Sequence, residues 1–194
     1  MVTGGGEVKD YTQMGKTEIR RDDRAVVDEG WIRAYLEQAA VGVLATAYDG
    51  QPFINSNLFV FHEAENAIYM HTARVGRTRA NVEANPKVCF HTFSMGRLLP
   101  ADEALEFSVE YAGVTVFGDV EIVEGDDEKE RALQLLLDKY APHLRPQRDY
   151  RAITPEELMR TAVYKILILE WVGKKKEVES NFPGAFIYGQ QNDK

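Results

Sequence analysis

The sequence predicts a mainly β protein with flanking helices, six strands curling into one barrel. Three observations lead there. Apolar and polar residues alternate with a period of two along most of the chain, the signature of strands with one buried face. Strands predominate, with two or three helices between or beside them, and the helical excursion at Arg79 to Ala84 is short. The long strand expected over Glu106 to Val123 carries Gly118 on the face of Ala112, Val114, Val116, Val120 and Ile122. A glycine there lets a strand kink, and long kinked strands suit a closed barrel better than a flat sheet.

Composition narrows the classes. With 194 residues and 44% hydrophobic content, the chain is long enough for one sizeable core. A net charge of -8 argues against general binding to nucleic acid or to an anionic membrane, so a local cluster of arginines stands out. The one cysteine, Cys89, excludes an internal disulfide framework and fits a reducing compartment. No apolar run is long enough to span a bilayer, and the polar, glycine-rich start has no apolar signal core. A cytoplasmic location is expected. The expected organisation is a leader and surface arm over 1–27, one barrel domain over 28–176 and a tail over 177–194.

Taken in order, Asp28 is placed to cap a helix from Glu29 to Ala40, with Trp31, Ile32, Tyr35, Leu36 and Ala39 at helical spacing. Val43 to Ala47 reads as a strand, Asp49-Gly50 as a hairpin turn, and Phe53 to Phe61 as the return strand. Asn55 and Asn57 are poor strand formers in mid-strand, a local conflict that marks either a functional position or a solvent-facing side. After Val88 to Phe93, a loop is expected over Ser94 to Glu103. Asp126 is placed to cap a helix from Glu128 to Tyr140 with Leu133, Leu136 and Leu137 inward. Thr154-Pro155-Glu156-Glu157 has the pattern of a short capped helix. The last strand runs from Val163 to Trp171, and Gly173-Lys174-Lys175-Lys176 is expected to end it.

The stretch from Ala67 to Phe93 holds the chemistry. Ile68, Met70 and Thr72 share one strand face, and Tyr69 and His71 the other. Arg74, Gly76, Arg77, Thr78 and Arg79 follow at once. A short helix from Arg79 to Ala84 is stopped by Asn85-Pro86. Arginines, free backbone N–H groups and the positive end of a helix dipole thus meet at one turn, where a phosphate would be held. The alternative is a solvated helix face, which is the reading for Arg74 and Arg79. His62, His91 and His143 read as structural, and Cys89 as a small core residue. No histidine pair shows metal-ligand spacing, so no metal is expected.

The succession VLATAYDGQPFINSNLFVF, AIYMHTARVGRTRANVEANPKVCF, VFGDVEIV and EKERALQLLLDKY resembles the pyridoxamine 5'-phosphate oxidase-like superfamily of flavin-binding split β-barrels, in its nitroimidazole-resistance-type branch. The resemblance spans about Val27 to Lys175. It implies a homodimer with FMN at the subunit interface. Asn55, Ser56, Asn57 and Leu58 would then run past the isoalloxazine ring. His71 and Thr72 would flank the ring or the ribityl chain, and Arg77 and Thr78 would hold the phosphate. Tyr111 of a second copy would cover the far side of the ring, and Trp171 would pack near it. Where many relatives carry arginine or serine, this chain has Tyr111-Ala112-Gly113-Val114.

The function so implied is an FMN-dependent oxidoreductase acting on a small organic substrate, with nitro-compound reduction as one precedent. Reduced nicotinamide is the expected electron source and His71 the candidate proton donor. The alternatives are a flavin-binding or sensing protein without turnover, and true pyridoxamine phosphate oxidation. The latter ranks low, because that family closes with an Arg-Leu-x-Pro-like segment and this chain ends Gly189 to Lys194 without one. Deazaflavin and haem are the other cofactors the resemblance allows.

Overall fold

The computed structural model describes residues 10–190; Met1 to Lys9 of the expected leader, and the last four residues of the tail, lie outside the described residues. Among the described residues, eight strands form one antiparallel sheet. They are β1 (Ala25–Val26), β2 (Gly42–Tyr48), β3 (Gln51–Asn57), β4 (Phe59–His62), β5 (Ala67–Ala73), β6 (Lys87–Leu99), β7 (Ser108–Val123) and β8 (Thr161–Lys176). Four α-helices accompany them: α1 (Glu29–Gln38), α2 (Arg77–Ala84), α3 (Asp126–Tyr140) and α4 (Pro155–Arg160). The strand order is β3-β2-β6-β7-β8-β5-β4, with β1 added beside β8. The two end strands, β3 and β4, follow each other in sequence, yet each pairs only with its inner neighbour. That makes the barrel a split one.

The expected count of six strands becomes eight for two physical reasons, and two expected strands run longer. The return strand over Phe53 to Phe61 breaks at Leu58, because β3 pairs with β2 while β4 turns away to pair with β5. The short β1 joins β8 through Ala25 and Val26. The expected loop after Phe93 is strand instead, since β6 keeps its ladder with β7 out to Leu99 across an irregularity between Met95 and Leu98. The last strand likewise runs past Gly173 to Lys176, because β7 supplies partners for every lysine. The helix starts shift too. α2 begins at Arg77, two residues before the expected start, and α3 begins at Asp126 with Gly125 as its cap. Asp28 does cap α1, accepting from the Trp31 N–H at 2.6 Å, and Thr154 forms a full capping box with Glu157.

Gly118 sits where the β7–β8 register shifts. A side chain there would collide with the Leu167 carbonyl oxygen, so the bulge that curves β7 needs a glycine. The main core fills the barrel with Ile32, Leu36, Leu44, Phe59, Ile68, Met70, Phe90, Val114, Val116, Tyr164 and Ile166. A second, smaller core lies outside the barrel wall, where Val60, Tyr69, Val123 and Val163 meet Ala132 and Leu136 of α3. β5 therefore has two buried faces over most of its length. Ile68 and Met70 point into the barrel, and Tyr69 points under α3. His71 is the next residue on the α3 side, where that second core ends.

Candidate functional site

After β5 the chain enters α2, which packs on β2 and β3 at the open end of the sheet. Three side-chain contacts seat this helix. Asn55 Nδ2 donates to Thr78 Oγ1 at 3.3 Å, Asn81 Nδ2 to Thr46 Oγ1 at 2.9 Å, and Asn85 Nδ2 to the Ala47 carbonyl at 3.3 Å. Asn55 lies opposite Leu44 and Asn57 opposite Gly42, so both asparagines face the inner side of the sheet. The solvent-facing reading of these two residues does not hold: both are half-buried, while Ile54 and Ser56 face outward. Asn57 Nδ2 is buried with no hydrogen-bond partner. A buried donor left single is costly, and its presence calls for a partner. The outer edge of β3 adds a row of unpaired backbone N–H and C=O groups.

At the start of α2, Gly76 has φ 139° and caps the helix with no side chain of its own. A β-carbon is poorly tolerated at that φ, so the tight exit from β5 needs glycine. The N–H groups of the first helical turn are left pointing outward. Arg77 is exposed and enters no hydrogen bond or ion pair among the described residues. Its neighbours are engaged: Arg79 pairs with Glu83 at 2.5 Å and Glu124 at 3.8 Å, and Arg74 donates to the Met159 carbonyl at 2.7 Å. One free guanidinium therefore stands at a helix N-terminus, as an anion requires. Thr78 is only 7% exposed, and its hydroxyl accepts from Asn55. What Thr78 offers an anion at this turn is its backbone N–H.

His71 ends the outward face of β5. Leu58, Leu133, Leu136, Leu137, Tyr140 and Ile153 surround it in a cavity of about 360 Å³. The ring reaches solvent at the mouth, but the bulk of the surrounding protein desolvates it and holds its pKa below the ordinary imidazole value. Thr72 points to the opposite face, its hydroxyl 3.0 Å from the Ala73 carbonyl and 3.4 Å from the buried Tyr164 hydroxyl. Leu58 links the two halves of the site: it follows Asn57 directly and lines the cavity beside His71.

Two expected residues do not join them within one chain. Trp171 packs on the barrel core, edge-on to Phe61 at 6.2 Å and under the Arg33 guanidinium at 4.7 Å. Val163, the ladder partner of His71, lies eight residues away along β8, which is about 26 Å of strand. Tyr111 lies farther still, opposite Met95 and Lys176, with the Arg24 guanidinium 6.0 Å from its ring. The cavity wall on α3 was not legible from sequence as a site. Its leucines share one helical stripe, which reads as core. The missed signal is the width of that stripe: Leu137 remains 37% exposed because the sheet beneath cannot cover it.

The model of the pyridoxamine 5'-phosphate oxidase family matches residues 28–175. The chain belongs to that family. Solved structures agree on the fold. The flavocytochrome Anf3 from Azotobacter vinelandii superposes with a TM-score of 0.73 at 22% identity, covering 85% of this chain and 75% of its own. A FAD- and haem-binding protein from Mycobacterium smegmatis gives 0.71 at 20% identity, covering 80% and 74%. A candidate 5-nitroimidazole antibiotic resistance protein from Bacteroides thetaiotaomicron gives 0.64 at 19% identity, covering 78% and 86%. The curated proteins contain no match. The split barrel is thus shared with flavin-binding proteins. Among the described residues, no group of three or more His, Cys, Asp or Glu side chains is placed to hold a metal ion, and no helix is long and apolar enough to cross a membrane.

Proposed function

We propose that this family member binds FMN in the split of its barrel and serves as an oxidoreductase for a small organic substrate. The observation that carries the reading is the coincidence, along one edge, of three unmet partners: the free Arg77 at the start of α2, the buried and unpaired Asn57 Nδ2, and the open edge of β3. A flavin mononucleotide offers the matching groups in that order, a phosphate dianion at one end and ring carbonyls and nitrogens at the other. Bound flavin would supply the electron transfer itself. The chain's own residues would bind the phosphate with Arg77 and the backbone of Thr78, orient the ring with Asn57 and the β3 edge, and offer the His71 imidazole, whose pKa burial lowers. A neutral imidazole can accept a proton and return it, which is the service a redox site needs from its walls. Reduced nicotinamide is the proposed electron source. A second copy of the chain, laid on the outer wall of β2, β6 and β7, would cover the ring and bring its own Tyr111 toward it.

The test is titration of the purified, flavin-stripped chain with FMN, FAD and riboflavin, followed by absorbance and by quenching of flavin emission. Saturable uptake of FMN, tighter than that of riboflavin, is expected. No uptake of any of the three would overturn the reading. His71 favours one further reading. Its imidazole, whose pKa burial lowers, is without a hydrogen-bond partner among the described residues and is set in an apolar wall, a setting that would also suit a ligand to haem iron. Two of the structural neighbours are a flavocytochrome and a FAD- and haem-binding protein. The same spectra decide, since haem gives an intense band that flavin lacks.

A further inference from the structure

We propose that the cavity between α3, α4 and the outer face of β5 is a binding site in its own right, for an uncharged, largely apolar small molecule that carries one polar atom for His71. Its role as a substrate pocket rests on the flavin reading above; its existence as a site does not.

The lining makes the case by elimination. Leu58, Leu133, Leu136, Leu137, Ala141 and Ile153 give the cavity its walls. Four polar side chains reach it, and three are already satisfied. The Tyr140 hydroxyl donates to the Ala40 carbonyl at 2.8 Å and accepts from the Phe59 N–H at 3.0 Å. The Glu157 carboxylate accepts from Arg151 at 2.8 and 3.0 Å and from the Thr154 N–H at 3.0 Å. The Thr161 hydroxyl donates to the Glu157 carbonyl at 2.9 Å. Among the described residues, only His71 is left to meet a ligand. Among the described residues no lysine or arginine lines the cavity, so a phosphate or carboxylate entering it would lose its water and gain no counter-charge from them. That excludes a dinucleotide or a phosphorylated vitamer from this cavity and selects a neutral molecule. At about 360 Å³ the space lies at the small end of ligand pockets and suits one or two rings. Leu58 and Leu137, 46% and 37% exposed, stand at the mouth and would be covered by an apolar occupant.

The test uses two dyes with the same ring system, neutral N-phenyl-1-naphthylamine and anionic 1-anilinonaphthalene-8-sulfonate, titrated into the full chain and followed by emission. The neutral dye should bind at least about tenfold more tightly than the sulfonate. Leu137→Trp, which fills the mouth from an exposed helix position, should weaken it by about tenfold or more, and Ala141→Met should do the same from the other side. Leu169→Trp, on the outer groove near Lys16, should leave it unchanged. Both cavity variants binding like the parent, or the sulfonate binding as well as the neutral dye, would overturn the proposal. So would stoichiometric hemin uptake with an intense band that disappears in His71→Ala, which would give the cavity to haem. Flavin separates the two readings. Dye binding in a chain that takes no FMN upholds the cavity and defeats the flavin site. In FMN-loaded protein, quenching of dye emission upholds the substrate role, and undiminished emission defeats it.

Discussion

At the scale of single residues, the site is a division of labour among neighbours that look alike in sequence. Arg74, Arg77 and Arg79 lie within six positions, yet two of them are tied to the fold and, among the described residues, only Arg77 has no partner. Arg77→Ala should therefore weaken FMN by about 2 kcal/mol or more, the worth of a charge-assisted phosphate contact, and leave riboflavin almost unaffected. Parallel titrations check this, and equal losses for both ligands would move the phosphate elsewhere. His71 separates from Tyr69 in the same way: one strand face, one residue closed under α3, the next open to a cavity. His71→Ala removes no volume from either core and should fold normally. If the imidazole handles a proton, FMN occupancy should persist while turnover falls by roughly 100-fold. If it only hydrogen-bonds the flavin, affinity should drop and turnover per bound flavin should hold. Flavin titration beside stopped-flow reoxidation tells these apart, and no change in either would make His71 structural.

At the scale of elements, α3 decides what His71 faces, and a polar cluster holds α3 in place. The Tyr69 hydroxyl lies 2.6 Å from Glu65 and 2.7 Å from Glu128, and Arg131 donates to it at 3.1 Å. Lys165 reaches Glu65 at 2.6 Å and Glu128 at 3.3 Å. The hydrogen bond from Lys165, then that from Tyr69, lowers the Glu65 carboxyl to about 2 from an ordinary value of 4.5. A carboxylate with a depressed pKa contributes stability that is complete above its unfolded value and is lost as pH falls through the folded one. The contribution of Glu65 should therefore be intact above about pH 4.5 and gone near pH 2. Glu65→Gln should move acid unfolding to higher pH and speed amide exchange in α3 and its neighbour β5. An acid transition unchanged from the parent would show that the α3 seam is held by apolar packing alone. Tyr69, its hydroxyl pushed up to about 12, chiefly by burial, stays protonated throughout and keeps donating.

At the scale of the whole molecule, the barrel has one wall covered by α3 and another whose outward residues stay partly or largely exposed. The outward residues of β2, β3, β6 and β7 include Val43, Ala45, Ile54, Phe93 and Phe117, with Ile54 65% and Phe93 59% exposed. Exposed apolar side chains gathered on one face are what an association surface requires, and a two-fold pair is the commonest way to bury one. Sedimentation should find a dimer. Phe93→Asp, at one end of that wall and outside both cores, should shift it toward monomer and lower flavin occupancy with it. A Phe93→Asp monomer with full flavin occupancy would show that the site is complete within one chain.

Local pattern determined much of this protein. Period-two alternation revealed the strands and their inward faces, the caps of α1 and α4 were legible at Asp28 and Thr154, and Gly118 declared its bulge. The cluster of arginines at a helix start around Arg77 was legible too, because charge and a helix start are both local properties. Family membership was legible as well, from the order and spacing of short motifs. Tertiary structure alone decided the rest. β3 and β4 read as one strand, since the break at Leu58 arises from a choice of partners and not from Leu58 itself. β6 and β8 ran longer than their sequences suggested, because β7 offers a ladder that satisfies backbone groups whatever the side chains are. The cavity beside His71 exists because α3 is wider in its apolar stripe than the sheet it covers. Pattern tells which face of an element is apolar; how much of that face finds a partner is settled only when the elements meet.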